Sequence, residues 1–175
     1  MSKKQVINDF TGRNYEAREL VADDIPKIRQ ILRESSFFNQ LEVKDTLKLI
    51  KDHFQYPDGE TFKTLICNAD GKFAGFLCYG TDVGEKTYEI HMLFVADKYK
   101  RNGVATHLLE HTEKKLRKNK CRMLYLYTSS SKEYLPARKL YQKKGFMKTA
   151  VVSDYFHDGD HKIIYAKRLK NKKNN

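Results

Sequence analysis

Three strand-type segments follow one another with no helix between them, and this constrains the fold more than any other feature of the chain. "TFKTLICNADGKFAGFLCYG" reads as a hairpin, with strand 61–67, a turn at Asn68-Ala69-Asp70-Gly71 and strand 73–80. After the loop "TDVGEKT" comes a third strand, "YEIHMLFV" (88–95). A helical pattern then runs from about 103 to 118, with Val104, Ala105, Leu108, Leu109 and Leu116 as its apolar positions, and the strand "RMLYLYT" (122–128) follows it. Consecutive strands pair antiparallel, whereas strand–helix–strand returns parallel. Both in one chain require a mixed sheet with helices on its faces.

The flanking segments extend this frame. Residues 13–20 alternate as a first strand. "DDIPKIRQILRESS" predicts a helix with Asp23 as N-cap, Pro26 in the first turn and Ile25, Ile28, Ile31 and Leu32 on one face. Phe37, Phe38 and Asn39 end it. "VKDTLKLIKDHF" predicts a second helix, stopped by Tyr56-Pro57-Asp58-Gly59. "TSSSKEYLPARKLYQKKGF" is a loop and helix closed by Gly145, and "MKTAVVSDYF" and "HKIIYAKRL" form a terminal hairpin around "HDGD". The order is β-α-α-β-β-β-α-β-α-β-β, an α/β fold of about seven strands and four helices. The 175 residues suit one domain, with a core over about 13–169 and a basic tail at 170–175.

Charge is concentrated. Residues 96–148 hold 15 Lys and Arg against 4 Asp and Glu, almost the whole net charge of +12. Such a field suits an anionic ligand, an acidic substrate or nucleic acid; solvated basic helix faces account for it equally well. No run of about 18 apolar residues is present, so no membrane span is expected, and "MSKKQVINDF" lacks the apolar core of a signal peptide. Cys67, Cys78 and Cys121 have no paired spacing, which suggests reduced thiols and a cytoplasmic protein.

The turn "KRNGVA" (100–105) joins strand 88–95 to the helix. The first amides of a helix lack intrahelical partners, and the helix dipole makes that end positive. Gly103 permits close approach to the backbone, while Lys100 and Arg101 add charge. These parts suit a pyrophosphate, although a glycine and two cations at a helix start are also the parts of an ordinary turn. Neither GxxxxGK[ST] nor GxGxxG is present.

On this turn the sequence resembles the GCN5-related N-acetyltransferase (GNAT) superfamily, which carries Q/R-x-x-G-x-G/A at a strand–helix junction. Lys100, Gly103 and Ala105 occupy the motif positions. "ARKLYQKKGF" resembles the family's A-x-x-x-Y-x-x-x-G-F through Ala137, Tyr141, Gly145 and Phe146, with Tyr134 where the family often has Asn. The C-terminal third is similar to a subgroup of small single-domain bacterial-type members. The resemblance implies an acetyl-CoA-dependent N-acetyltransferase that acts on a primary amine of a small molecule or peptide by direct attack in a ternary complex. It implies coenzyme A contacts from Leu93, Phe94 and Val95, from the turn Lys100, Arg101, Asn102, Gly103, Val104, Ala105 and Thr106, and from Tyr134, Arg138 and Tyr141. The Leu93 amide takes the family position that polarises the thioester carbonyl.

For general base the resemblance points to Glu89, 11 positions before Lys100; His91, on the same strand face, and water are the alternatives. Tyr141 takes the position of the acid that meets the departing thiolate, and core packing is the competing role. An acceptor carried on RNA, such as aminoacyl-tRNA, and a non-catalytic acyl-CoA-binding module stay open as readings, as does a homodimer. No metal is expected: His107 and His111 are four apart without a third ligand, and "HDGDH" (157–161) reads as a polar hairpin turn. None of the cysteines has a His partner for thiol catalysis.

Overall fold

The hairpin turn closes more tightly than its sequence suggests. Strand β3 (Phe62–Ala69) and strand β4 (Lys72–Thr81) pair antiparallel down to Ala69↔Lys72, so only Asp70 and Gly71 turn the chain. Both have positive φ, 50° and 75°, as a two-residue type I′ turn requires. This computed structural model describes residues 5–8, 14–35, 38–56 and 61–169, with backbone alone for 5–8. Phe37, Pro57, Asp58, Gly59 and the 170–175 tail lie outside the described residues.

The chain divides into two compact units, Met1–Gly80 with Met92–Thr112, and Thr81–His91 with Glu113–Asn175. In the first, β1 (Gln5–Asn8) pairs antiparallel with β2 (Asn14–Glu19), and β2 with β3. β3 and β4 are buried along most of their length, which suits their continuous apolar character. β1 was not expected, since four residues carry no readable period. β5 (Thr87–Val95) enters this unit at Met92.

Helix α1 (Asp24–Glu34) buries Ile28 and Leu32. Asp23 holds the N-cap position, as read from the sequence, but makes no side-chain cap bond. Asp24 accepts from the Val21 amide at 2.9 Å and from both Arg18 Nη atoms at 2.7 Å. Asn39 is a correction. It does not end the first helix but opens α2 (Gln40–Gln55), forming a reciprocal capping box with Glu42. Phe38 lies against the Phe94 ring, centroids 5.6 Å apart.

In the second unit the first half of β5 pairs parallel with β6 (Met123–Ser129) over Thr87–Ile90. β6 pairs antiparallel with β8 (Asp160–Arg168), and β8 with β7 (Met147–His157). Helix α3 (Val104–Lys118) passes from the first unit into the second and buries Val104, Leu108, Leu109 and Leu116. Burying each leucine contributes about 2 kcal/mol. Helix α4 (Leu135–Lys143) stops at Gly145, φ +80°, where the Phe146 amide donates to the Tyr141 carbonyl at 3.0 Å. The fold is thus α/β, with a mixed and mostly antiparallel sheet and, among the described residues, four α-helices. It holds all seven expected strands, and β1 besides.

Candidate active site

The strand–turn–helix region is shaped by backbone in a confined space. A side chain at Gly75 of β4 would overlap the Phe94 carbonyl oxygen and approach Val104 Cγ1 to 3.2 Å. Glycine here lets β4 lie close to the end of β5 and the start of α3. Beyond Val95 a short 3-10 turn, Asp97–Tyr99, leads to Lys100. Arg101 (φ +64°) and Gly103 (φ +85°) both adopt the left-handed conformation, so the chain reverses into Val104. The Tyr15 hydroxyl donates to the Asn102 carbonyl and ties the turn to β2. Lys100 Nζ is 2.5 Å from Asp97 Oδ1. The first turn of α3 holds no acidic residue, and amides at a helix start have no intrahelical acceptor. Lys100, Arg101 and Gly103 are exposed; Asn102, Ala105 and Thr106 are half-buried. Two cations and the open amides of a helix start make this turn suited to an anion.

The second unit holds a different cluster. Glu89 is opposite Tyr125 in the β5–β6 register, so both share one sheet face. The Tyr125 hydroxyl lies 2.7 Å from Glu89 Oε2 and 2.9 Å from Asp82 Oδ2. Burial, then hydrogen bonding to Glu89 and to Asp82, pushes the Tyr125 phenol well above its ordinary value. His91 Nδ1 is 3.7 Å from Glu89 Oε2, and the side chains of Glu89 and His91 are 17% and 29% exposed. Tyr127 is next along the same face of β6, and Lys162 Nζ stands 3.6 Å from its ring centroid and 4.5 Å from that of Tyr155. Glu89 and His91 are thus neighbours on this face. Tyr125 and Asp82 were missed; the signal available was the alternation of tyrosines 125 and 127 in "RMLYLYT".

Tyr141 is 8% exposed and packs between Phe146 and Tyr165, ring centroids 6.1 and 6.0 Å away. Burial, with Tyr134 nearby, pushes its phenol up to about 12, so it stays protonated across the neutral range. Arg138 Nη1 donates to the carbonyls of Ser129 and Ser131, both at 2.7 Å. The "HDGDH" segment is the β7–β8 turn: Asp160 accepts from the Ser129 hydroxyl at 2.6 Å and from the Ser130 amide at 3.0 Å. Its carboxyl is held below the usual range by Ser129 first, then by Ser130 and Ser131. His107 is buried against Tyr15, centroids 5.7 Å apart. No group of three or more potential metal ligands occurs among the described residues. Nor is any helix there long and apolar enough to cross a membrane.

Comparison with known proteins bears on this geometry. The model of the acetyltransferase (GNAT) family matches residues 25–146. The chain belongs to the GNAT acetyltransferase family. A curated N-alpha-acetyltransferase from Saccharolobus solfataricus is 35% identical over 75 residues, 43% of this chain and 44% of that relative, so the match spans less than half of the relative's length. A solved GNAT-family structure from Desulfovibrio desulfuricans is 26% identical, with TM-score 0.81 over 89% of this chain and 99% of that one. The PaiA N-acetyltransferase of Thermoplasma acidophilum, solved in complex with coenzyme A, shares the fold at 20% identity, with TM-score 0.69 over 88% of this chain and 98% of that one. GNAT proteins use acetyl-CoA, and the positive turn at the head of α3 fits such a phosphate-bearing co-substrate.

Proposed function

We propose that this GNAT protein is a single-domain, acetyl-CoA-dependent N-acetyltransferase that transfers acetyl to a primary amine, with a peptide α-amine favoured over a small-molecule amine. The observation that carries the reading is the Arg101–Gly103 double left-handed turn at the head of α3, which a short 3-10 turn joins to the strand that bears Glu89. The name of the Saccharolobus relative supports the peptide amine. Three buried free thiols agree with work in the reducing cytoplasm.

In this reading the amides from Arg101 to Thr106 bind the pyrophosphate of coenzyme A, with charge from Lys100 and Arg101. Phe94, Val95, Tyr134 and Arg138 line the rest of the co-substrate. Glu89 takes a proton from the acceptor ammonium, and His91 shapes the acceptor side. The freed amine attacks the thioester carbon while the Leu93 amide donates to the oxygen that gains charge. The C–S bond breaks, the Tyr141 hydroxyl supplies a proton to the sulfur as negative charge develops there, and the second proton that the attacking nitrogen loses on becoming the amide restores the Tyr141 hydroxyl, so the one proton released overall is the one on Glu89. The raised value of its phenol keeps that proton available at neutral pH.

A thiol-release assay with acetyl-CoA and a panel of free-N-terminal peptides and diamines tests the reading. Acceptor-dependent release with at least one peptide is expected, and Glu89→Gln should lower kcat about 100-fold, chiefly on the acid side of the pH profile. Release that no amine accelerates, with coenzyme A still bound, would reduce the protein to an acyl-CoA-binding module.

A further inference from the structure

The Tyr125 hydroxyl touches two carboxylates but has one hydrogen to give. At any moment it donates to Glu89 or to Asp82, and its oxygen can accept from the other only when that carboxyl carries a proton. The two acceptors differ in setting. Glu89 is mostly covered, at 17% exposure, and an acceptor bound to it would cover it further. Asp82 is exposed, lies in the loop before β5, and is held by the Val83 amide at 2.7 Å from Oδ1. Residues 82 and 125 join the neighbourhood of 89 from separate segments, and the phenol oxygen is their common point.

Resting on the reading of Glu89 as base, we propose that Tyr125 and Asp82 are relay residues that return the abstracted proton from Glu89 to solvent. The step conserves protons. Once Glu89 has taken a proton from the ammonium, its carboxyl O–H donates to the Tyr125 oxygen while the Tyr125 hydrogen passes to Asp82. Tyr125 is neutral before and after, and no phenolate forms. Its phenol resists ionisation, which suits a group that passes a proton without keeping or losing one. Asp82 then releases the proton to water, and Glu89 is again an anion for the next turnover. Charged and titratable groups on or beside this face include His91, Tyr127, Tyr155, Lys162 and Arg122, which donates from Nη2 to the Thr87 hydroxyl at 3.3 Å and from Nε to the Glu85 carbonyl at 3.2 Å. His91 stands 3.7 Å from Glu89, and the ammonium of Lys162 is seated on the rings of Tyr127 and Tyr155. The Tyr125 hydroxyl is within hydrogen-bond distance of both Glu89 and the exposed Asp82.

The test compares Tyr125→Phe and Asp82→Asn with wild type, using acetyl-CoA and a free-N-terminal peptide. Tyr125→Phe keeps the ring, and Asp82→Asn changes an exposed side chain, so the fold should survive at least one of them; melting temperatures check this. Both variants should lose about tenfold or more in kcat with KM nearly unchanged. Both should show a larger solvent deuterium isotope effect, and imidazole added as a diffusible proton carrier should restore part of the rate. A group that only props Glu89 in place would not be rescued by buffer. Wild-type kcat in either variant overturns the relay, and so does slow turnover that imidazole leaves unchanged. Glu89→Gln run alongside separates the two readings. If it is slow while Tyr125→Phe is normal, the base stands and the relay falls. If Glu89→Gln itself turns over normally, the base assignment fails and takes the relay with it.

Discussion

The turn at residues 100–106 and the cluster around Glu89 use different materials. The turn offers a ligand mainly backbone: left-handed Arg101 and Gly103, followed by the first amides of α3. The cluster offers side chains alone, with Glu89, Tyr125 and Asp82 brought from three segments. A backbone cradle depends on conformation and tolerates most side-chain changes that leave φ and ψ alone. A side-chain cluster depends on register, and any one member can be removed without disturbing the chain path. The first suits holding a large co-substrate; the second suits moving one proton.

The comparison breaks if substitutions in the two regions have the same kind of effect. Gly103→Glu should have the largest. It forces a residue with a Cβ into φ +85° and places a carboxylate where phosphate is proposed to sit. Coenzyme A affinity measured by calorimetry should fall by more than about 100-fold, equivalent to about 3 kcal/mol. Gly103→Asn, which accepts positive φ without the charge, should retain much more. If both bind normally, the cradle lies elsewhere.

Tyr141→Phe should come next. It keeps the packing against Phe146 and Tyr165 and removes only the proton donor. kcat should drop by roughly 10- to 100-fold with acetyl-CoA affinity unchanged, because the lost interaction forms as the C–S bond breaks. Full activity would make Tyr141 a packing residue. An acyl donor with a better leaving group should recover much of the loss.

Lys100→Ala should have the smallest effect and sharpens the comparison most. Lys100 already faces Asp97 at 2.5 Å, with both side chains about half exposed, so its charge is partly answered within the turn. Coenzyme A affinity should weaken only about two- to fivefold, and less in high salt. A loss approaching that of Gly103→Glu would show that side-chain charge, rather than backbone, holds the ligand.

What the sequence made legible follows the same division. The α3 junction could be read because its parts lie within a few residues: a strand, a glycine at 103 and an apolar helix period. The β3–β4 hairpin and the Gly145 stop were readable for the same reason. The helix starts were less so. Asp23 could be placed at the N-cap, but that Asp24 rather than Asp23 takes the side-chain hydrogen bonds depends on where Arg18 lies. Asn39 was attached to the helix before it, although "NQLE" carries a capping box for the one after. The Tyr125 bridge was out of reach. It joins residues 36 and 43 positions apart, and the parallel β5–β6 register that aligns them is set by the whole α3 crossover.

The burial of the three cysteines has a practical side. Cys67, Cys78 and Cys121 are at most 1% exposed, and burial pushes their thiols up to about 12, about 12 and about 11. Near pH 8 each stays almost wholly protonated, and the thiolate is the form that reacts with disulfide dyes. A colorimetric reagent that reports liberated coenzyme A should therefore leave the folded enzyme almost silent. One cysteine introduced on the surface, at exposed Val83 for instance, should label cleanly with a fluorophore while the native three stay dark.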